Sequence, residues 1–238
     1  MVNVLGHPYN LAGDNYYNRQ VNTIYGGRID GSIPELLMRE GVAERLVVVN
    51  EKLQAEGLEL YLFDAWRPLA VQQNARGMFE NRLRKNYPEW SDDQVLKLVN
   101  TFWAVPPSSY DEINPYSPPP HMSGAVSDLT LRVVSTKQLL EMGSTFDDVN
   151  ITAFPDHFER ACRATLAVGK LPSYTAELAR ESRRILYWVM EDPSLPKEDR
   201  LSVNATEIWH ISEGDQLDSR YKSSLGNLVL AKYPLARP

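Results

Sequence analysis

Cysteine is almost absent from this chain. Cys162 is the single cysteine among 238 residues, so the protein can form no internal disulfide and has no pair of thiolates for a zinc site. The residues around it, 158–164, have the composition of a helix. We therefore expect Cys162 to be a small buried side chain rather than a nucleophile.

Positive charge and long apolar runs are also scarce. The 25 lysines and arginines are outnumbered by 31 aspartates and glutamates, and the net charge of −6 argues against nucleic acid as a partner. No apolar run approaches the ~18 residues of a membrane-spanning helix, so we expect no membrane partner. Residues 1–8 lack the basic and apolar regions of a signal peptide. We expect a cytoplasmic protein, with a periplasmic location open if a leader precedes this sequence.

The composition that remains is typical of a folded globular protein. Hydrophobic residues make up 43% of the chain and charged residues 24%. We expect a single domain over residues 1–238. Residues 1–33 are rich in Asn, Tyr and Gly, and we expect them to be an irregular N-terminal segment packed on that domain.

Hydrophobic periodicity and capping residues predict the secondary structure. Gly57 is placed to end the first helix, and Ser91 with Gln94 forms a capping box for the third. The predicted helices are residues 34–56, 68–84, 92–103, 156–167 and 173–190. The predicted strands are residues 58–63, 126–134 and 202–212. Because helices bracket a few strands without a regular β-α-β alternation, the fold class is α+β.

Of the four histidines, His7 lies near the N-terminus and His157 on a charged predicted helix, so His121 and His210 are the candidates for chemistry. His121 precedes Asp128 by seven residues with Gly124 between them, and His210 follows Glu207 by three. A hydrolytic zinc site needs three protein ligands, an open position for water and a nearby base. His121, Asp128 and His210 can supply the ligands for one zinc per chain, which leaves Glu207 as the base.

Arg67 is the candidate that would stabilise an oxyanion during attack on a carbonyl. It lies between a predicted strand and a predicted helix, where active-site residues are often held. The alternative is a surface arginine paired with Asp64.

The alternative for the histidines and carboxylates is a set of ordinary surface and core polar residues. The H-E-x-x-H pattern, the commonest signature of a zinc peptidase, is absent from the sequence. In a regular strand, positions 207 and 210 would face opposite sides. Both can serve one metal only if that strand starts late, twists or bulges near Ile208, or if Glu207 acts from the start of the strand.

Several blocks of sequence together resemble the D-alanyl-D-alanine dipeptidase family, the VanX-like zinc peptidases of the hedgehog/DD-peptidase fold. Residues 63–68, F-D-A-W-R-P, are similar to the family's D-A-Y-R-P. Residues 121–131 carry its H-x-x-G-x-x-x-D-L-T-L pattern, and residues 142–147, M-G-S-T-F-D, resemble M-G-T-x-F-D. Residues 207–210, E-I-W-H, resemble E-W-W-H. The blocks follow the family's order along the chain.

The resemblance implies an α+β zinc peptidase with a small, mostly antiparallel sheet flanked by helices. It implies that His121, Asp128 and His210 hold Zn²⁺. Glu207 would act first as general base and then as general acid. Arg67 would bind the carbonyl oxygen of the tetrahedral intermediate.

The resemblance also bears on the substrate. Asp147 matches a family aspartate that contacts the free amino group, and a carboxylate suits an ammonium chemically. We name Tyr16 and Trp209 as further candidates for substrate contact. Pro119 stands where the family has a serine that helps to bind substrate.

We therefore expect a zinc-dependent dipeptidase of cell-wall metabolism. It would hydrolyse D-Ala-D-Ala or a related D-amino-acid dipeptide by attack of a zinc-activated water, assisted by Glu207. One alternative is a zinc D,D- or L,D-carboxypeptidase that acts on longer cell-wall peptides. An alternative of another class is a non-catalytic, zinc-containing module that binds peptides.

Overall fold

The protein has an α+β fold, as predicted. The computed structural model describes residues 1–22, 24–114 and 118–191, together with the backbone of residues 201–203 and 210–213. The helices of this part are Glu40–Ala55 (α1), Leu69–Asn86 (α2), Asp92–Phe102 (α3), His157–Ala167 (α4) and Tyr174–Met190 (α5). The strands are Val2–Asn3 (β1), Ala12–Gly13 (β2), Leu37–Met38 (β3), Leu58–Asp64 (β4), Val126–Val133 (β5), Leu201–Val203 (β6) and His210–Glu213 (β7). A search of the described helices finds none with the length and apolarity needed to cross a membrane.

The main sheet has five strands in the order β2-β4-β5-β7-β6. Among the described strands of this sheet, β2 pairs with β4 in parallel, whereas the pairs β4–β5, β5–β7 and β7–β6 are antiparallel. This arrangement confirms the small, mostly antiparallel sheet. β1 and β3 form a separate antiparallel pair.

The core is built between α1 and the sheet. The apolar residues that recur along α1, among them Leu46 and Leu53, are at most 3% exposed. They pack in the same cluster as Leu60 and Leu62 of β4, which are fully buried. Each such side chain contributes about 1.5–3 kcal/mol when it leaves water, so this contact fixes the helix on the strand that leads to Arg67.

Helix α1 begins later than predicted, because residues 34–39 are not helical. Leu37 and Met38 pair instead with Asn3 and Val2, and the amide of Trp66 donates to the carbonyl of Leu37 over 2.7 Å. These long-range bonds use backbone groups that an additional helical turn would need. The predicted end of the helix is confirmed, since Gly57 has the left-handed conformation with φ +76°.

The other four predicted helices are confirmed to within two residues at each end. Ser91 accepts from the amide of Gln94, whose side chain accepts from the amide of Ser91, so the capping box is complete at the start of α3. Pro68 stands immediately before α2. Ser173 caps α5 by accepting from the amide of Ala176.

The prediction of one strand over residues 202–212 was wrong. β6 and β7 pair with each other in antiparallel register, with Ser202 opposite Ser212, so the chain reverses direction between them. β7 begins at His210, so the strand that carries this histidine starts late, as one of the alternatives for a shared metal site requires. Residues 204–209 lie outside the described part of the chain.

Candidate metal centre

A group of three potential metal ligands lies where β4 and β5 meet. Asp64, His121 and Asp128 each offer one nitrogen or oxygen atom, and these atoms all lie within 4.8 Å of one another. Asp64 ends β4 and is the direct partner of Asp128 in β5, after a register irregularity that follows Leu62. The antiparallel pairing therefore brings two carboxylates from distant parts of the sequence to adjacent positions.

A tight turn brings His121 to the same place. Residues Pro120–Ser123 form a 3₁₀ turn, which Gly124 ends in the left-handed conformation, with φ +71°. A side chain at Gly124 would be strained by this φ and would meet the side chain of Met1 at 2.8 Å. The amide of Arg67 donates to the carbonyl of His121, so the turn is tied to the end of β4.

The imidazole of His121 is held by its Nδ1 atom. Nδ1 lies 3.1 Å from the carbonyl oxygen of Ala65 and 3.1 Å from Oδ2 of Asp64. Both neighbours accept hydrogen bonds, so the proton belongs on Nδ1, and Nε2 keeps its lone pair for a metal. Burial, together with the charge of Arg67, lowers the pKa of His121 and favours the neutral ring.

Nε2 of His121 lies 3.5 Å from Oδ1 of Asp128. Two ligands of a tetrahedral zinc, each bound at ~2.0–2.2 Å, lie roughly 3.3–3.6 Å apart. The pair therefore has the spacing of two zinc ligands before any metal is added. A nitrogen donor beside a carboxylate is also a donor set that zinc accepts.

Arg67 holds both carboxylates in position. Its Nε donates to Oδ2 of Asp64 and its Nη2 donates to Oδ2 of Asp128, each over 2.8 Å. Nη1 donates to Gln72 on α2, also over 2.8 Å. Only 6% of Arg67 is exposed, so its pairing with Asp64 is buried rather than on the surface. Burial opposes the ionisation of Asp64, but Arg67 and His121 keep its pKa below the ordinary value.

Asp147 lies one tyrosine side chain away from Arg67. Oδ2 of Asp147 accepts from the hydroxyl of Tyr17 over 2.8 Å and from that of Tyr25 over 2.7 Å. The Arg67 guanidinium lies 4.7 Å from the centre of the Tyr17 ring. Burial raises the pKa of Asp147, although Arg67 and the two hydroxyls oppose this shift.

Tyr16 has a different environment from its neighbour. It is 7% exposed and packs edge-on against Phe63 and Phe146, with ring centroids 6.1 and 4.6 Å away. Tyr16 and Tyr17 belong to one 3₁₀ turn, and their rings lie at 89° to each other. Within this turn, the described contact with Asp147 is made by Tyr17, while Tyr16 packs in an aromatic cluster with Phe63 and Phe146.

The sheet register brings the position of His210 to the metal ligands. His210 begins β7 and is the direct partner of Asp128 in β5. Its backbone is described, whereas the predicted base Glu207 and the candidate Trp209 lie outside the described residues.

Comparison with known proteins decides the family. A model of the peptidase M15 family, described as D-ala-D-ala dipeptidase, matches residues 29–227. The chain belongs to this family. It is also 27% identical over 223 residues to a D-alanyl-D-alanine dipeptidase of Synechocystis sp., which covers 89% of this chain and 77% of the relative.

The chain is also similar to a solved structure, a mutant of the vancomycin resistance D,D-pentapeptidase VanY in complex with Zn(II). The two sequences are 12% identical, and the match covers 93% of this chain and 94% of the VanY chain with a TM-score of 0.37. That score is too low for the likeness to bear on function.

Membership of the M15 family makes this protein a zinc metallopeptidase. The described residues fit the metal, because a neutral imidazole and a carboxylate stand at ligand spacing in a largely buried site. The zinc cofactor expected from the sequence is thus supported by the family and by the donor atoms of the fold.

Sequence reasoning missed several residues that shape this M15 site. Asp64 was considered only as a partner of Arg67, yet it also contacts His121. Gln72 and Tyr25 were not identified at all, and of the adjacent tyrosines Tyr16 was named as a candidate rather than Tyr17. The spacing of Asp64 three residues before Arg67, at the end of a strand, was an available indication, whereas nothing local marks Tyr25.

Proposed function

We propose that this zinc peptidase is a dipeptidase that hydrolyses D-Ala-D-Ala or a related D-amino-acid dipeptide. The observation that carries the proposal is the 3.5 Å approach of His121 Nε2 to Asp128 Oδ1, beside the buried guanidinium of Arg67. A family match over residues 29–227 supports the same class of substrate.

In this proposal the metal is held by His121, Asp128 and His210. The pairing of Asp128 with His210 in adjacent strands supports the third ligand. Asp64 then serves the site indirectly, since its Oδ2 lies 3.1 Å from Nδ1 of His121 and fixes the ring.

The chain's own residues move the proton and stabilise the developing charge. Zinc, when bound, lowers the pKa of a coordinated water and polarises the scissile carbonyl. Glu207 takes a proton from the attacking water and later returns it to the leaving amine. Arg67 lies with Nη2 3.5 Å from His121 Nε2, close enough to the ligand atoms to stabilise negative charge on the carbonyl oxygen.

Asp147 is proposed to bind the ammonium group of the substrate. Its carboxylate is fixed by Tyr17 and Tyr25, and Tyr17 also lies against Arg67. The distance from Asp147 to Arg67 is therefore set by one tyrosine ring. That short span suits a substrate with its amino terminus only one residue from the scissile bond.

The test is a mass-spectrometric screen of zinc-loaded protein against L,L, L,D, D,L and D,D dipeptides. Cleavage of D,D dipeptides, with free D-Ala-D-Ala preferred over its N-acetylated form, is the expected result. Cleavage confined to longer or N-blocked peptides would replace the dipeptidase with a carboxypeptidase. Stoichiometric zinc without cleavage of any peptide would indicate the binding module instead.

A further inference from the structure

One buried arginine on α5 holds the loop that carries Asp147. Arg183 is 4% exposed, and its guanidinium points into the segment between β5 and α4. It donates to acceptors on both sides of Asp147. These acceptors are the Met142 carbonyl at 2.8 Å, the Ser144 hydroxyl at 3.3 Å, the Thr152 carbonyl at 2.6 Å and the Phe154 carbonyl at 2.8 Å.

The start of this loop has little room to move. Gly143 has φ +75°, and a Cβ at this position would lie 2.1 Å from the ring of Phe158 on α4. The Arg183 guanidinium lies 4.7 Å from the centre of the same ring. The loop backbone is thus fixed between an arginine and an aromatic ring before it reaches Asp147.

Asp147 itself has an unusual backbone conformation. Its φ is +55°, in the left-handed region that residues with a side chain rarely adopt. Such a conformation is strained and persists when the surroundings determine it. Tyr17 and Tyr25 fix the carboxylate, whereas the bonds of Arg183 fix the backbone on either side.

We propose that Arg183 is a positioning residue for recognition of the substrate's amino terminus. It acts through Asp147, by holding the loop so that the carboxylate stands at a fixed distance from Arg67 and the metal ligands. This inference rests on the proposed role of Asp147 in binding the ammonium group.

The neighbouring Arg184 provides a matched control. It is also on α5 and 4% exposed, but it forms ion pairs with Glu159 on α4 and with Glu181 on its own helix. Arg184 therefore joins α4 to α5, and Arg183 joins α5 to the Asp147 loop. Replacing either residue removes a buried arginine from the same helix.

The experiment compares Arg183→Met, Arg184→Met, Asp147→Asn and the Arg183→Met/Asp147→Asn double variant as zinc-loaded enzymes. Each is assayed for kcat and KM on a free dipeptide and on its N-acetylated form, with zinc content and Tm measured alongside. Arg183→Met should keep its zinc and raise KM for the free dipeptide about tenfold, because a misplacement of the order of 1 Å can cost up to ~10²-fold. Arg184→Met should lower Tm and leave KM unchanged.

The double variant distinguishes positioning from simple stability. If Arg183 acts through Asp147, Arg183→Met should cause no further loss of the free-amine preference once Asp147→Asn is present. A lower Tm with unchanged KM and preference in Arg183→Met would overturn the inference. If Asp147→Asn itself leaves the preference intact, the proposed ammonium site is wrong, which is a separate failure.

A conservative variant keeps the test decisive if Arg183→Met does not fold. Arg183→Lys retains the charge, but a single ammonium cannot reach acceptors spread as widely as those of a guanidinium. A folded Arg183→Lys enzyme should show a raised KM and a reduced free-amine preference. A wild-type KM and preference in this variant would refute a positioning role.

Discussion

Nε2 of His121 and Oδ1 of Asp128 lie 3.5 Å apart, and the two residues stand seven positions apart in the sequence. The intervening turn ends in the left-handed Gly124, and β5 then carries Asp128 alongside β4. Arg67 holds the second oxygen of the carboxylate, and Ala65 holds the second nitrogen of the ring. The two side chains therefore present their ligand atoms to the same point.

Removal of His121 should abolish zinc binding. His121→Ala should lower the zinc content from one ion to less than about a tenth of an ion per chain, because two remaining ligands hold zinc weakly. Elemental analysis after dialysis against a weak chelator measures this. His157→Ala, which changes a histidine at the start of α4, should keep its zinc. Equal zinc in both variants would remove His121 from the ligand set.

Removal of Arg67 should cost stability as well as activity. Arg67→Met leaves the carboxylates of Asp64 and Asp128 buried without their shared cation, which should lower the free energy of unfolding by about 3–5 kcal/mol. Denaturant titration of the metal-free protein measures this loss. Loss of oxyanion stabilisation should reduce kcat by ~10²–10³ in the folded, zinc-loaded fraction. An unchanged unfolding free energy would contradict the buried ion pairs.

Loss of the Tyr25 hydroxyl should shift the pH dependence of the enzyme. In the proposed role, Asp147 must be ionised to bind the substrate's ammonium, so kcat/KM should fall as the pH drops through the pKa of Asp147. The Tyr25 hydroxyl lowers that pKa by donating to the carboxylate. Tyr25→Phe should therefore raise the pKa further, and the acidic limb of the kcat/KM profile should move to higher pH.

A matched control for this shift is Tyr9→Phe. Tyr9 donates to Glu40 at the surface and has no described contact with Asp147. Its profile should coincide with that of the wild type. A Tyr25→Phe profile that also coincides with the wild type would show that Asp147 does not control the acidic limb.

Replacement of Glu207 should separate metal binding from catalysis. Glu207→Gln should keep one zinc per chain and lower kcat by roughly 10²–10⁴, because an amide cannot accept the proton of the attacking water. Glu56 is exposed at the end of α1, so Glu56→Gln serves as the control and should keep full activity. A fully active Glu207→Gln enzyme would mean that another group is the base.

Much of the fold follows from local sequence signals. The capping box at Ser91 and Gln94 placed α3 correctly, and Gly57 marked the end of α1. The predicted start of α1 was wrong because Leu37 and Met38 pair with residues near the N-terminus, and local periodicity carries no sign of that pairing. The reversal between β6 and β7 was missed because residues 202–212 contain no glycine or proline, the residues that most strongly mark a turn.

The candidate site divides in the same way. His121 and Asp128 could be named together because one short turn and one strand connect them. The contacts of Asp147 with Tyr17 and Tyr25 span 130 and 122 residues, and no pattern in the sequence links positions so far apart. Choosing between Tyr16 and Tyr17 also requires the orientation of a 3₁₀ turn, which composition does not give.

The most direct test of the metal centre is crystallography of zinc-loaded protein with anomalous data collected at the zinc absorption edge. The site proposed here predicts one anomalous peak within ~2.0–2.2 Å of His121 Nε2, Asp128 and the His210 imidazole, with Asp64 remaining on Nδ1 of His121. A zinc ion bound by Asp64 in place of His210, or a peak away from His121 and Asp128, would contradict it.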